Sequence, residues 1–272
     1  MEYERLIPSL SNQATPQAIP PPLVTILRQY LSVKEAVQIL EQFQSDDWIP
    51  NGQVLWSGML REQAQEWADR HRLQTLTTAM GPLMDVKHPD CLKLRKSNSQ
   101  WSNYVHGASA IFAWRIAQGE NVTLLSPPPP ERFHPSGLSY YQLIEEPIIR
   151  GLLDKKAVQK IMIVHPMITK SNEFLYELWP NDKRDKWMER FGSCPYKRKW
   201  RQVGHGRDMT LLKSLVAFSE QQVHSAEKVK QYEKNEVGNS QSFTISSELS
   251  LIILSRLPSS ILLMLFYYLW HS

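Results

Sequence analysis

Two short segments of the sequence carry side chains that could act together on a phosphorylated, ring-bearing ligand. Trp56, Ser57 and Gly58 directly follow an apolar Val-Leu pair. A Trp ring can stack on a planar or cationic ring, a Ser hydroxyl can donate to a phosphate, and a glycine lets a ligand approach the backbone. Farther along the chain, Glu145 and Glu146 supply carboxylates, which can stabilise a positive charge that develops in a reaction.

The elements around the first segment suggest why it could bind an anion. Val54 and Leu55 predict a buried strand, and residues 59–71 predict a helix with Ser57 as its N-cap. Free backbone N–H groups at a helix N-terminus favour phosphate. Because a Trp at a strand end is commonly a core residue, the segment alone leaves a purely structural role open.

Strands that alternate with helices predict an α/β protein with a parallel sheet. The expected helices span 23–44 (two helices, broken near Ser32), 59–71, a short one within 75–85, 101–120 and 210–234, and the expected strands span 54–56, 121–126 and 158–166. Four prolines at 127–130 end the second strand, and residues 136–153 predict an extended or irregular segment. The helix-rich early half indicates a separate helical part.

Composition and charge exclude several classes of protein. The chain has 272 residues and a net charge of +4, which is ordinary for a globular protein and predicts no nucleic-acid partner. Residues 183–201 are the exception, with eight Lys/Arg against two acids. A solvated surface and a phosphate-facing patch both remain open as interpretations of this segment.

The two cysteines, Cys91 and Cys194, form no CxxC or Cys/His cluster, which argues against a disulfide scaffold and a structural zinc site. We expect neither a metal nor a cofactor.

The two ends of the chain bear on its location. Residues 1–22 contain no long apolar run, which argues against a secretory signal and favours an intracellular location. Residues 249–270 are mostly apolar and, at about 1.5 Å per helical residue, long enough to span a bilayer, although Arg256 and Pro258 interrupt them. A tail anchor that contacts a membrane, a helix packed on the body and an artefact of the gene model all stay open.

Residues 48–91 resemble the central stretch of the ADP-ribosyl cyclases, the family of the mollusc cyclase and the vertebrate cell-surface NAD glycohydrolases. That family has a short strand, then Phe/Leu-Trp-Ser, an amphipathic helix, Thr-Leu-Glu-Asp-Thr-Leu, and a Cys sixteen residues after the first Thr. This chain has Leu55-Trp56-Ser57, the helix, Thr75 followed by Leu, and Cys91 at the same spacing.

A second segment, 139–149, resembles the family segment with two aromatic residues, a glycine, and then Glu-Leu-Pro-Asn-Leu or a close variant. Tyr140 and Tyr141 take the aromatic positions, Glu145 takes the position of the catalytic glutamate, and Pro147 keeps the proline. In an extended segment neighbouring side chains point to opposite sides, so Glu145 and not the next acid is expected to face the site. The alternative is that both are surface acids. The resemblance runs from about residue 23 to about 166.

The sequence departs from the family pattern at two places in the site. The Glu-Asp pair that follows Thr-Leu is Thr77-Thr78 here, and in the family those acids are thought to contact nicotinamide and to influence cyclisation against hydrolysis. The second active-site Trp of the family falls at Val105, with Tyr104 or Trp101 as substitutes. The other cysteines of the family's disulfide framework are absent.

The resemblance implies an α/β fold with a helical subdomain and a small parallel-sheet, Rossmann-like subdomain, with NAD⁺ in the cleft between them. The expected parts are a helical subdomain at 1–52 and 75–117, an α/β subdomain at 53–74 and 118–234, a linker at 235–248 and a hydrophobic tail at 249–272.

The implied reaction is cleavage of the nicotinamide–ribose bond of NAD⁺, the substrate, by a hydrolase or, less favoured, by a cyclising transferase. Glu145 would stabilise an oxocarbenium-like state. The expected ligand contacts are Trp56, Ser57, Gly58, Thr77, Thr78, Tyr104, Tyr140 and Tyr141. Two alternatives stay open: a nucleotide-binding protein without turnover on the same fold, and a membrane-tethered interaction protein that uses residues 183–201 and the tail.

Overall fold

The computed structural model describes residues 19–135, 137 and 139–193. These residues belong to one compact unit, Met1–Glu220. The predicted helix at 210–234, the linker and the hydrophobic tail lie outside the described residues, as do Cys194 and the basic residues that follow it. Within the described part, no helix combines the length and the apolar character needed to cross a membrane.

The described chain alternates helices with four strands, as expected of an α/β protein. The α-helices are α1 (Pro21–Tyr30), α2 (Val33–Phe43), α3 (Arg61–Arg70), α4 (Leu76–Met80), α5 (Asn98–Ile116), α6 (Glu146–Ile149) and α7 (Arg184–Phe191), and the strands are β1 (Val54–Trp56), β2 (Asn121–Leu125), β3 (Lys160–Val164) and β4 (Tyr176–Trp179). Three-residue 3₁₀ turns lie at Gly81–Leu83, Lys93–Arg95 and Thr169–Ser171, and a π-helical turn at Tyr141–Glu145.

Serine caps explain where two of the helices begin. The Ser32 hydroxyl accepts from the Glu35 N–H while the Glu35 carboxylate accepts from the Ser32 N–H, and Ser97 with Gln100 forms the same capping box at the start of α5. Each box satisfies N–H groups that a helix start would otherwise leave free. The predicted break near Ser32 is therefore confirmed.

The sheet has the order β1-β2-β3-β4, with parallel pairing from β1 to β3. Trp56 pairs with Leu125, and Leu125 with Val164, so the carboxyl ends of the three parallel strands lie in line. Ligands of open α/β sheets bind outside this edge. The parallel sheet was predicted, but β4 was not, and it pairs antiparallel to β3.

Alternating side chains of the strands feed two hydrophobic clusters. Leu55, Leu124 and Ile163 belong to the larger cluster, together with residues of α1, α2 and α5. Their neighbours Val54, Leu125 and Val164 belong to the smaller cluster, which contains Trp67 of α3. This period of two places helices on both faces of the sheet. Trp56, at the end of β1, packs against both clusters.

Helix α5 is the central support of the helical part, since α1, α2, α4, α6 and the π-helical turn all pack on it. It closely approaches the residue after α1 at Gly107, where an added Cβ would lie 2.4 Å from Leu31 Cγ. Any larger residue at this position would require the Leu31 side chain or the helix to shift.

Two local expectations are wrong. The helix after Trp56 begins at Arg61 with Leu60 as its N-cap, so Ser57 does not cap it; Gly58, with a φ of 72°, turns the chain away before a helix can start. The segment expected to be extended is helical from Tyr141 to Ile149, because its apolar residues pack on α5.

We expect Gly107→Ala to destabilise the protein by about 1–3 kcal/mol, since overpacking outweighs the higher helix propensity of alanine. Leu31→Ala should cost about 2–5 kcal/mol alone. The double variant should lose less than the sum of the two, because the smaller side chain at residue 31 makes room for the new methyl group. Urea denaturation of the three variants measures this coupling; strictly additive losses would contradict the close approach.

Candidate active site

A cavity of about 910 Å³ opens beside the carboxyl end of β1. Its walls come from the β1–α3 turn, the α4 region, one face of α5 and the segment that begins at Ser139. The volume lies near the upper end of the range typical of small-molecule sites.

The cavity brings together most of the residues expected to contact a ligand. Those that line it are Trp56, Ser57, Gly58, Thr77, Tyr140, Tyr141 and Glu145. They come from segments about 90 residues apart in sequence, so the two segments singled out in the sequence meet in one site.

Two expected contacts, Thr78 and Tyr104, do not line the cavity. The Thr78 hydroxyl faces α3, where it accepts a hydrogen bond from Gln65 at 2.8 Å. The Tyr104 ring is buried in the core and stacks on Trp101, with ring centroids 5.2 Å apart. Trp101 itself lines the cavity, as does Val105, so Trp101 supplies the second indole of the site.

Glu145 is a buried carboxyl group on the cavity wall, with 7% of its surface exposed. The Ser109 hydroxyl donates to Glu145 Oε1 at 3.1 Å. Burial raises the pKa of the Glu145 carboxyl to about 7, and the hydrogen bond from Ser109 lowers it in part. The group therefore changes charge near neutral pH, which is unusual for a glutamate and frequent at functional sites.

The neighbouring acid, Glu146, has a different environment. Its carboxylate pairs at 2.5 Å with Arg150, the residue that follows α6, and it does not line the cavity. The two acids diverge because a π-helical turn ends at Glu145 and α6 begins at Glu146. The prediction that Glu145 alone faces the site agrees with the geometry, although the extended backbone assumed for it is wrong.

Ser57 is held by other groups of the protein. Its backbone N–H donates to the carbonyl of Leu125 at 2.9 Å, and its hydroxyl lies 3.2 Å from that of Ser139. The peptide N–H is therefore occupied by the sheet, and the hydroxyl is the group of Ser57 that a ligand can engage.

A row of polar side chains on α5, the polar stripe, forms one wall of the cavity. The sequence analysis did not identify these residues as part of one site. Ser102, His106 and Ser109 follow one another at helical spacing and all line the cavity. The Ser102 hydroxyl lies 3.1 Å from that of Tyr140, whose ring packs 4.0 Å from the His106 ring, centroid to centroid. Burial lowers the pKa of His106 to about 4, so its imidazole is neutral at physiological pH. The available signal was the spacing of these three polar residues, which places them on one face of the helix.

A second set of polar contacts involves the loop that precedes the segment beginning at Ser139. Arg132 donates to both carboxylate oxygens of Asp182 and lies 3.5 Å from the Tyr176 hydroxyl. Because the carbonyl of Ser126 can only accept, His165 Nδ1 donates to it at 3.1 Å and Nε2 accepts from the Tyr176 hydroxyl at 2.9 Å. His165 is thus a neutral residue with both ring nitrogens hydrogen-bonded, and it connects the proline-rich loop to β4.

The described residues contain no group of His, Cys, Asp or Glu side chains that could hold a metal ion. Cys91 is buried and free. The functional groups on the described walls of the cavity are one carboxyl group, one imidazole, two basic side chains, several hydroxyls and aromatic rings.

We expect Glu145→Gln to stabilise the protein at alkaline pH. The folded state keeps the Glu145 proton up to about pH 7, whereas the unfolded chain loses it near its ordinary value, so wild-type stability falls as pH rises between the two. Gln cannot ionise. The variant should match the wild type near pH 5 and exceed it by on the order of 3 kcal/mol at pH 8 in urea denaturation.

Glu66→Gln, on the exposed surface of α3, is the matched control and should follow the wild type at both pH values. A Glu145→Gln variant whose stability relative to wild type did not change from pH 5 to pH 8 would contradict the buried, neutral carboxyl.

Comparisons with known proteins found no match: no protein-family model, curated protein or solved structure matches the chain.

Proposed function

We propose that the protein cleaves the nicotinamide–ribose bond of NAD⁺ and releases nicotinamide and ADP-ribose. The observation that carries the proposal is a buried glutamate, Glu145, in one cavity with Trp56 and Ser57. The resemblance of residues 48–91 and 139–149 to the ADP-ribosyl cyclases supports it, since the quoted motifs supply these same three side chains.

The reaction needs charge stabilisation more than acid catalysis. When the bond between ribose C1′ and the ring nitrogen breaks, its electron pair neutralises the cationic ring, so nicotinamide leaves without being protonated. Positive charge develops on the ribose, as in glycoside hydrolysis. A carboxylate fixed in a desolvated cavity stabilises that charge better than water does. Water then bonds to C1′ and loses a proton.

Aromatic side chains on the walls suit the rest of the nicotinamide nucleoside. Trp56, at the end of β1, and Trp101, in α5, are both half-buried and line the cavity. Indole faces attract a cationic ring more than a neutral one, which favours binding of NAD⁺ over retention of the neutral product.

Hydrolysis is favoured over cyclisation. Thr77 lines the cavity where the resembling family has an acid, and Thr78 is turned toward α3. The cavity therefore lacks the acid pair thought to influence cyclisation in that family, and within the described residues Glu145 is the one acidic side chain on its walls.

The test is nicotinamide release from NAD⁺ by the purified full-length chain, followed by liquid chromatography. Glu145→Gln should lower kcat by about 10²–10³-fold or more, since it replaces the charged group that the transition state requires and leaves the shape of the cavity unchanged. Chromatography should show ADP-ribose as the main second product.

Glu146→Gln is the matched control: the same chemical change one residue away, outside the cavity, should leave most of the activity. Equal losses of activity in the two variants would indicate a structural effect and would contradict a catalytic role of Glu145. NAD⁺ binding without release of nicotinamide by the wild type would favour a nucleotide-binding protein without turnover.

We also expect the activity to depend on pH through the ionisation of Glu145. Only the carboxylate can stabilise the positive ribose, so kcat/KM should rise with pH, with a midpoint near 7, and level off above it. A bound cationic ring favours the carboxylate, so the midpoint in kcat should lie at lower pH than that in kcat/KM.

Ser109→Ala tests the origin of this profile. Loss of the hydrogen bond that stabilises the carboxylate should move the midpoint of kcat/KM to higher pH. Activity that is highest near pH 5 and declines toward pH 8 would rule out a carboxylate of Glu145 as the active form.

A further inference from the structure

The imidazole of His106 lines the cavity but takes no part in the chemistry proposed above. Its ring packs against those of Tyr30 and Tyr140, whose centroids lie 5.2 Å and 4.0 Å from its own. These two aromatic neighbours restrict rotation of the imidazole, so packing fixes the directions in which its nitrogens point. A side chain that is held in this way can orient a ligand.

One of the two ring nitrogens of His106 is available to a ligand. Nδ1 is buried and has no hydrogen-bond partner. Nε2 makes no hydrogen bond within the described residues and is not among the buried atoms. Because His106 is a residue of the cavity wall, Nε2 is the nitrogen that a molecule in the cavity can reach.

The proton of the His106 ring is best placed on Nε2. Burial lowers the pKa of His106 to about 4, so the imidazole is neutral at physiological pH and carries a single N–H. A buried N–H without an acceptor is rarer in proteins than a buried acceptor without a donor, which assigns the bare nitrogen to Nδ1 and the proton to Nε2. The cavity wall therefore presents one uncharged donor at this place.

The position of this donor relative to Glu145 matches the shape of nicotinamide. Ser109, which donates to Glu145, follows His106 by three residues on the cavity face of α5, a rise of about 4.5 Å along the helix. In the proposed reaction the Glu145 carboxylate lies at ribose C1′. The carboxamide is attached meta to the ring nitrogen that bears the ribose, so its oxygen lies a comparable distance from C1′.

We propose that Nε2–H of His106 donates to the carboxamide oxygen of nicotinamide, and that His106 thereby selects pyridinium dinucleotides with a carbonyl group meta to the ring nitrogen. This inference rests on the proposed function, which places the ring at Glu145. A neutral imidazole suits the task because it adds no positive charge beside the cationic ring, whereas a lysine or arginine at this position would repel it.

The experiment compares kcat/KM for NAD⁺ with kcat/KM for pyridine adenine dinucleotide, which has hydrogen in place of the carboxamide. His106→Phe keeps a ring against the two tyrosines and removes the donor. In the full-length chain it should lower the ratio of the two values by about tenfold, which is typical for loss of one hydrogen bond with its partner left unpaired. The different intrinsic reactivities of the substrates cancel, because each protein is measured on the same pair.

A third substrate, 3-acetylpyridine adenine dinucleotide, identifies the atom that His106 binds. This analogue keeps the carbonyl group and lacks the amide N–H₂. His106→Phe should lower its kcat/KM by the same factor as that of NAD⁺. A loss confined to NAD⁺ would mean that His106 binds the amide N–H₂, and it would overturn the assignment of Nε2–H as a donor to the oxygen.

Two further variants separate the hydrogen bond from the packing of the ring. His106→Gln can place a side-chain N–H near the position of Nε2 and should restore most of the ratio that His106→Phe loses. His71→Phe is the matched control, since the His71 ring stacks on Trp67 and does not line the cavity. The same substitution there should leave the ratio unchanged.

The outcomes distinguish this inference from the proposed function. If NAD⁺ is cleaved but His106→Phe lowers the values for NAD⁺ and the unsubstituted analogue by one factor, the inference fails and the proposed function stands. Where the analogue is cleaved too slowly to measure, its inhibition constant against NAD⁺ replaces kcat/KM.

If the wild type releases no nicotinamide from NAD⁺, the proposed function fails, and dissociation constants of the same proteins for NAD⁺ and the unsubstituted analogue are compared. A binding preference for NAD⁺ that His106→Phe abolishes and His106→Gln retains would then support the donor. Equal affinities, or no binding of either dinucleotide, would overturn it.

Discussion

The close contact between α1 and α5 at Gly107 is the constraint on which the site depends. A helix that packs on this many neighbours is normally apolar on all sides, yet α5 also presents a polar stripe to the cavity. Because an added Cβ at Gly107 would lie 2.4 Å from Leu31 Cγ, the glycine lets Leu31 pack directly on this face of α5. With that face turned toward α1, Ser109 donates to Glu145 on the cavity wall and Tyr104 is buried in the core.

The sequence predicted the parts of the fold that depend on local patterns. The break at Ser32 and the strands β1 to β3 follow from caps, apolar runs and the prolines after β2, which act over a few residues. β4 was missed because it is a four-residue edge strand that becomes recognisable only through its pairing with β3. The helical geometry at 141–149 was missed because a π-helical turn has neither of the two periods for which a sequence is usually searched.

For the site, the sequence predicted which segments meet but not how individual side chains are rotated. Trp56 and Glu145 could be found because their segments resemble motifs of the ADP-ribosyl cyclases and their residue types match a chemical task. Thr78 and Tyr104 were expected beside the ligand because they match, or could substitute at, positions of the resembling family. Thr78 instead bonds Gln65 of α3, and Tyr104 is buried in the core. Ser109 was overlooked because a serine in an apolar helix usually bonds its own backbone; its partner, Glu145, lies 36 residues farther along the chain.

The π-helical turn at Tyr141–Glu145 makes the site sensitive to the length of the chain as well as to its composition. A π-helical turn holds one more residue than the α-helical turn it replaces, and consecutive residues of an α-helix are about 100° apart around its axis. Loss of Gln142, Leu143 or Ile144 from this turn would let it relax to an α-helix and rotate the carboxyl group away from the cavity, with no side chain of the site replaced. In relatives of this chain, a deletion there would separate fold from activity as completely as a substitution of the glutamate, and an alignment scored on residue identity alone would overlook it.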